Sequence, residues 1–117
     1  MAATLPKAER IAGRTAVRAL MSGGHWDGAS HIRILSMDNG LGFSRIMVSV
    51  PKRLFKRAVK RNLLKRRMRE AYRLQKDLLP VEGGGKDIMF VYSSAEVAPF
   101  AVIRDETASL LQKIAAR

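Results

Sequence analysis

Twelve lysines and arginines fall within residues 52–76, KRLFKRAVKRNLLKRRMREAYRLQK, against one acid, Glu70. Twelve minus one leaves this stretch with +11 of the formal net charge of +12. The chemistry open to such a block is the binding of phosphate: arginine's planar fork makes paired hydrogen bonds to a phosphate, and lysine adds a point charge. From Ala58 onward the stretch reads as a helix, because no glycine or proline interrupts it before Pro80 and most of its residues are good helix formers. Helical spacing puts Asn62, Lys65, Arg66, Arg69, Arg73 and Lys76 on one stripe. Leu64, Met68, Ala71, Tyr72, Gln75, Leu78 and Leu79 fall largely on the opposite side. One side packs and the other presents cations. A merely solvated helix face mixes signs, since opposite charges four residues apart help and like charges hurt. A face with almost no acid calls for a polyanion, and nucleic acid is the first reading.

Other residue types that could do chemistry are not assembled for it. The ten acids are scattered, and only Asp105 and Glu106 are neighbours, near the start of a helix where acids complement the dipole. They do not resemble a two-metal site. His25 and His31 read as a turn histidine and a strand histidine with no third ligand evident. Gly83-Gly84-Gly85-Lys86 invites a phosphate-loop reading, but the G-x-x-x-x-G-K-[ST] spacing is absent and Asp87 follows the lysine. Any nuclease activity has to come from a partner.

Bulk properties narrow the class. At 117 residues the chain is expected to form one domain, 1–117, with a core of its own and with residues 1–12 loosely ordered. The absence of cysteine excludes a disulfide framework and a thiolate metal site. The longest apolar run, residues 88–92, is far short of the roughly 20 residues of a helical membrane span. The opening MAATLPKAER has no hydrophobic segment of signal-peptide type. The expectation is a soluble, cytoplasmic protein. A sequence pI near 11.1 favours RNA or DNA as partner over a membrane surface, because the basic helix offers only one large aromatic, Tyr72, on the face the fold needs.

The elements that must position the basic stretch follow from periodicity. Residues 13–22 read as a short amphipathic helix stopped by Gly23-Gly24. Residues 25–27 read as a short strand, and 31–37 and 44–50 as longer ones; Asn39-Gly40 between the latter pair is a turn signal that predicts a β-hairpin. Pro51 ends the strand and hands the chain to the basic connector. After Pro80 a glycine-rich loop leads to a buried strand over 87–93. Pro99 then opens a last helix that places Phe100, Ile103, Thr107, Leu110, Leu111 and Ile114 on one face, with Lys113 and Arg117 towards its end. If strands 44–50 and 87–93 are parallel neighbours, the basic helix is their crossover, right-handed by the general rule.

The run SVPKRLFKRAVKRNLLKRRMREAYR, residues 49–73, resembles the signature of the bacterial ribonuclease P protein subunit. That signature has a strand ending in a lysine pair, then Ala-Val, then Arg-Asn-Arg, Lys-Arg and a further arginine. Here Lys52-Arg53 stand for the pair, Ala58-Val59 are present, Arg61-Asn62 begin the triplet, Lys65-Arg66 follow and Arg69 closes it. Chain length, element order, Arg10 ahead of the first helix and Gly24 after it also match. The resemblance implies an α+β fold, a single-domain α/β sandwich of order α-β-β-β-α-β-α with a small mixed sheet and a left-handed βαβ crossover through the basic helix. It implies a protein cofactor of a catalytic RNA that cuts the 5′ leader from precursor tRNA, using Mg²⁺ held mainly by the RNA. The expected partners are ribonuclease P RNA and precursor tRNA, with no membrane and no obligate protein partner. Lys52, Arg53, Lys56, Arg57, Lys60, Arg61, Asn62, Lys65, Arg66, Arg69 and Arg73 are then the expected RNA-binding residues.

Three departures from the family's pattern matter. Leu63 stands where the triplet usually has its second arginine, so that one RNA contact is either missing or supplied by Arg67. The connector between Lys52 and Ala58 is a residue longer than in many members. Val17 and Met21 hold first-helix positions where relatives often place phenylalanines that line a cleft for the leader. Arg45, Met47 and Ser49, on the outward side of strand 44–50, are the expected facing wall, with Arg45 as its cationic edge. Stacking on aromatics would be weaker in such a cleft. The alternative reading is a structural RNA-binding protein of the ribosome or a similar particle; a self-sufficient nuclease comes third.

Overall fold

Ile88 to Tyr92 are apolar at every position, a pattern that suits a strand covered on both faces. In the computed structural model, which describes residues 5–79 and 84–116, this strand lies inside the sheet. The elements in chain order are α1 (Arg14–Gly23), β1 (His25–Gly28), β2 (Ile32–Asp38), β3 (Arg45–Ser49), α2 (Ala58–Gln75), β4 (Lys86–Tyr92) and α3 (Phe100–Ala115), with short 3-10 turns at Lys7–Glu9 and Lys76–Leu78. The sheet runs β1-β2-β4-β3. β1 and β2 pair antiparallel, as do β2 and β4, whereas β3 and β4 are parallel. The basic helix α2 is therefore the crossover between two parallel neighbours, and the fold is a mixed α+β single domain.

Alternation along the strands sorts the core into two layers. Ile32 and Ile34 of β2, Ile46 of β3 and Ile88, Phe90 and Tyr92 of β4 face α2 and α3, where they meet Leu64, Met68, Tyr72, Ile103, Leu110 and Ile114. Leu35 and Met89, at the intervening positions, face α1 and pack on Leu20 and Ile11. Gly24 makes the close turn from α1 into β1 possible, since a Cβ there would lie 2.6 Å from the carbonyl oxygen of Leu20 and from Leu35 Cδ1. Tyr92 ties the loop before α3 to the sheet: its hydroxyl donates to the Glu96 carbonyl at 2.5 Å and accepts from the Ala98 amide at 3.0 Å.

Three expectations are corrected. Strands β2 and β3 form no hairpin, because β4 is inserted between them. The Asn39-Gly40 loop instead arches over the entry to β4, with the Asn39 amide donating to the Gly85 carbonyl and Gly42 to that of Gly84. The signal was a real turn; a strand buried on both faces took the pairing that the turn suggested. The N-terminal segment is not loose from Leu5 onward: Leu5 and Ile11 are buried, and Ile11 donates to the Ile46 carbonyl, covering the outer edge of β3. The expectation for residues 1–4 lies outside the described residues, as do those for 80–83 and Arg117. Finally, Glu106 does not sit free at the helix start. It receives the His31 amide at 2.8 Å and shares a 2.5 Å hydrogen bond with His31 Nδ1, joining α3 to the start of β2. His25, which opens the strand expected over residues 25–27, begins β1.

Gly85 tests the arch. Its φ is +87°, and a Cβ would come within 2.2 Å of the Phe43 carbonyl oxygen. Gly85→Ala should lower the unfolding free energy by about 1–3 kcal/mol in urea titrations, whereas Gly40→Ala, strained at φ +68° but with open space around it, should cost less.

Candidate nucleic-acid interface

The basic connector is held by an arginine of the helix that follows it. Phe55 is buried against Tyr92, ring centroids 5.9 Å apart, which pins the middle of the connector to the core. Arg61, one turn into α2, reaches back and donates from Nη1 to the carbonyls of Phe55 and Lys56, both at 2.8 Å. Lys52, Arg53, Lys56, Arg57 and Lys60 are left exposed around this anchor. They surround the amino end of α2, where the helix dipole is already positive, so the two fields add instead of cancelling. A phosphate is the group that such an end attracts.

Further along α2 the sorting predicted by helical spacing is present. Leu64, Met68, Ala71 and Tyr72 are buried, Asn62, Arg66 and Arg69 are exposed, and Lys65 is half-buried. Burial pushes the Tyr72 phenol up to about 12, with nearby Glu9 adding to the shift, so it remains neutral in its pocket. Among the described residues no carboxylate lies within ion-pair distance of Lys52, Arg53, Lys56, Arg57, Lys60, Lys65, Arg66 or Arg69.

The end of the stripe is different in kind. Arg73 pairs with Glu70 within the helix, which holds the Glu70 carboxyl below its ordinary range and raises the guanidinium. Lys76 pairs at 2.9 Å with Glu9 in the first 3-10 turn. The bare cations are thus concentrated from the connector to Arg69, and the last turn is neutralised. Arg67 is not a ready replacement for the arginine missing at Leu63, because it donates to the Ala98 carbonyl at 2.7 Å and fastens the loop before α3.

Sequence reasoning missed Arg10 as a site residue. Docking of the N-terminal segment on β3 brings it beside Arg69, and the two arginines line a cavity of about 240 Å³ with Leu5, Ile11, Ile46, Met47 and Val48. Partial burial, then the charge of Arg10, lowers the Arg69 pKa from its ordinary value. Two guanidiniums converge here with no acid between them. No local spacing could have signalled the pair, since it exists only once the segment lies along the outer edge of β3.

The expected cleft residues are brought together in part. Val17 of α1 and Met47 of β3 pack against the same cluster around Leu20, Leu35 and Met89, and Ser49 is half-buried in the next outward position. Met21 is 61 % exposed. With Gly13, Arg14 and Arg18, it and Val17 line an open groove of about 590 Å³. Arg45 does not supply the cationic edge. Its Nε and Nη2 bind the two carboxylate oxygens of Asp87 at 2.9 and 2.7 Å, and that bond, outweighing desolvation, raises its pKa. Asp87 is buried and needs a cation, so Arg45 is tied to the sheet. Arg14 and Arg18 of α1 take over the edge. Among the described residues no three of His, Cys, Asp or Glu come together as a metal site.

A family model described as Ribonuclease P matches residues 5–115. The ribonuclease P protein component of Porphyromonas gingivalis strain W83 is 34% identical over 105 residues, covering 87% of this chain and 72% of that protein. The corresponding protein of Idiomarina loihiensis is 37% identical over 89 residues, covering 75% and 68%. Among solved structures, the RNase P protein of Thermotoga maritima superposes with a TM-score of 0.78 at 26% identity, covering 90% of this chain and 96% of that one. The Staphylococcus aureus RNase P protein gives 0.74 at 26% identity, covering 93% and 96%.

Two measurements test the interface. Met68→Ala should destabilise the domain by about 2–5 kcal/mol, whereas Arg69→Ala should leave the melting temperature unchanged or slightly higher and weaken RNA binding. Equal destabilisation by both would show that the faces are misassigned. If about six phosphates are engaged, log K should fall against log salt with a slope of about −4 to −6; a slope near −1 would mean that the basic block is solvated.

Proposed function

The chain belongs to the ribonuclease P protein family, and on that premise we propose that its connector and α2 grip the catalytic RNA subunit while the groove beside α1 receives the leader of precursor tRNA. Its function is that of the family's protein component, a cofactor of the RNA-based enzyme that processes the 5′ end of tRNA. The alternative of a structural ribosomal protein is not favoured, since the curated relatives and the solved neighbours alike are ribonuclease P proteins. One observation carries the division of surfaces: eight bare cations sit on the connector and α2, and α2 packs on the opposite face of the sheet from α1, with Arg69 reaching the outer edge of β3.

Duplex and folded RNA present phosphates in fixed geometry, and a rigid helix with a packed underside meets them without losing much side-chain order. The leader is single-stranded and suits an open groove with an apolar wall and an arginine edge. It is present in the substrate and absent from the mature product. Contacts in the groove therefore strengthen substrate binding without strengthening binding of mature tRNA, and release of the mature tRNA is not slowed by them. Mg²⁺, in this reading, is held by the RNA and supplies the charge stabilisation of phosphodiester cleavage there. The residues of this chain bind and orient RNA. No described helix is long and apolar enough to cross a membrane, and we assign the protein to the cytoplasm, where precursor tRNA is made.

The reading is tested by incubating precursor tRNA at low magnesium with a bacterial ribonuclease P RNA, this protein, or both. Cleavage is expected with both together and not with the protein alone; cleavage by the protein alone would make it a self-sufficient nuclease. The groove is tested by the double variant Val17→Phe, Met21→Phe. Added rings should raise the affinity for precursor tRNA relative to mature tRNA, by about fivefold or more for each base that stacks. An unchanged ratio in a folded double variant would remove the leader from this face of α1.

A further inference from the structure

Trp26 is the chain's single tryptophan, and neither the core nor the basic helix uses it. It sits on the edge strand β1 and is 40 % exposed, although an indole has much apolar area to hide and is on average highly buried. The register accounts for its surroundings. Trp26 stands opposite Leu35, and Arg33, two residues back along β2, stands opposite Gly28. Gly28 has no side chain to compete for the space, so Arg33 reaches across the diagonal and lays its guanidinium over the indole, Cζ 4.4 Å from the ring centroid. The two make a flat, cationic plate.

The plate lies on the same sheet face as α1 and the groove. By alternation, Trp26, Leu35, Met89 and Met47 form one row across the four strands, and Arg33, Val91 and Ser49 form the next. These rows run from β3, past the face that α1 covers, to the plate on β1, about 14 Å at three strand spacings of roughly 4.8 Å. Charge along this face favours a polyanion. α1 contributes Arg14 and Arg18 and no acid, Asp87 is taken up by Arg45, and among the described residues no carboxylate lies within ion-pair distance of Arg33.

We propose that the Trp26–Arg33 plate is a stacking site for one unpaired RNA base, taken from the leader beyond the segment held in the groove. The proposal rests on the reading that the groove takes the leader. An indole offers its face to any base, and a guanidinium beside it neutralises the adjoining phosphate, so the site would tolerate any leader sequence. It also gives the surface an aromatic platform that Val17 and Met21 do not.

The test uses the reconstituted holoenzyme and precursor tRNAs with leaders of graded length, each compared with mature tRNA. For the wild type, affinity should climb as the leader lengthens and then level off. Trp26→Ala should leave short leaders unaffected and lower the affinity for long ones by about fivefold, the low end for one stacked base; Trp26→Tyr should restore most of it. A length-dependent gain that survives intact in a folded Trp26→Ala variant overturns the plate and leaves the groove standing. No gain with length in the wild type overturns the groove, and the plate falls with it. If Trp26→Ala does not fold, the wild-type full chain decides, since its fluorescence comes from this indole: quenching by a single-stranded oligoribonucleotide is expected. No quenching, or quenching by polyglutamate in place of RNA, overturns the proposal.

Discussion

The structure depends on burying one side of a helix whose other side repels itself. Like charges at neighbouring turns each destabilise a helix by about 0.2–0.5 kcal/mol, whereas a fully buried large apolar side chain contributes about 1.5–3 kcal/mol. Leu64, Met68 and Tyr72, each at most 1 % exposed, outweigh the repulsion along α2 and hold its cations in one orientation. Remove the sheet beneath them and the stripe has no reason to stay helical. Other positive residues are drawn into the scaffold: Arg61 folds the connector, Arg67 fastens the loop before α3, and Arg73 and Lys76 are matched by Glu70 and Glu9. The charge that remains bare is therefore a subset of the charge in the sequence, concentrated from the connector to Arg69.

β4 makes the second surface possible. A strand covered on both faces has side chains for two layers, and the layer on the α1 side is smaller than the layer under α2 and α3. α1 spans only 10 residues, with Leu20 as its one fully buried contact, so it covers part of the face and leaves an edge open. The groove carries Met21, Arg14 and Arg18, and the row from Ser49 to Arg33 lies on the same face of the sheet. A more complete helix would have closed the groove.

On the proposed reading the two surfaces hold two different RNAs, the catalytic subunit on the cationic side and the leader of the substrate on the other. A fixed row of cations suits backbone phosphates whose spacing is set by folded RNA, and it adds affinity without regard to sequence. An open face with an apolar floor, an arginine edge and an aromatic suits bases that are free to turn outward. On that proposal their separation by the sheet would let one chain hold a structured RNA and a flexible single strand together, with the central strand β4 linking both layers.

The sequence by itself determined the helices, the strands, the buried and cationic faces of α2, and the family, because these depend on local periodicity and on a signature within residues 49–73. It also determined the cation density from Lys52 to Arg69, since charge density does not depend on topology, whereas the drawing in of Arg61 and Arg67 was decided by tertiary contacts. Only the tertiary structure decided which turn became a hairpin. Asn39-Gly40 has the chemistry for one, and Lys86–Tyr92 displaced it by pairing with both neighbours. Tertiary structure likewise tied Arg45 to Asp87, moved the groove's cationic edge to Arg14 and Arg18, set Arg10 beside Arg69 and laid Arg33 over Trp26. Each of these joins residues through register or through docking of a segment against a strand edge. A one-dimensional pattern reports what a residue can do; whether its partner is water, a carboxylate or another guanidinium depends on contacts made only when distant segments close on one core.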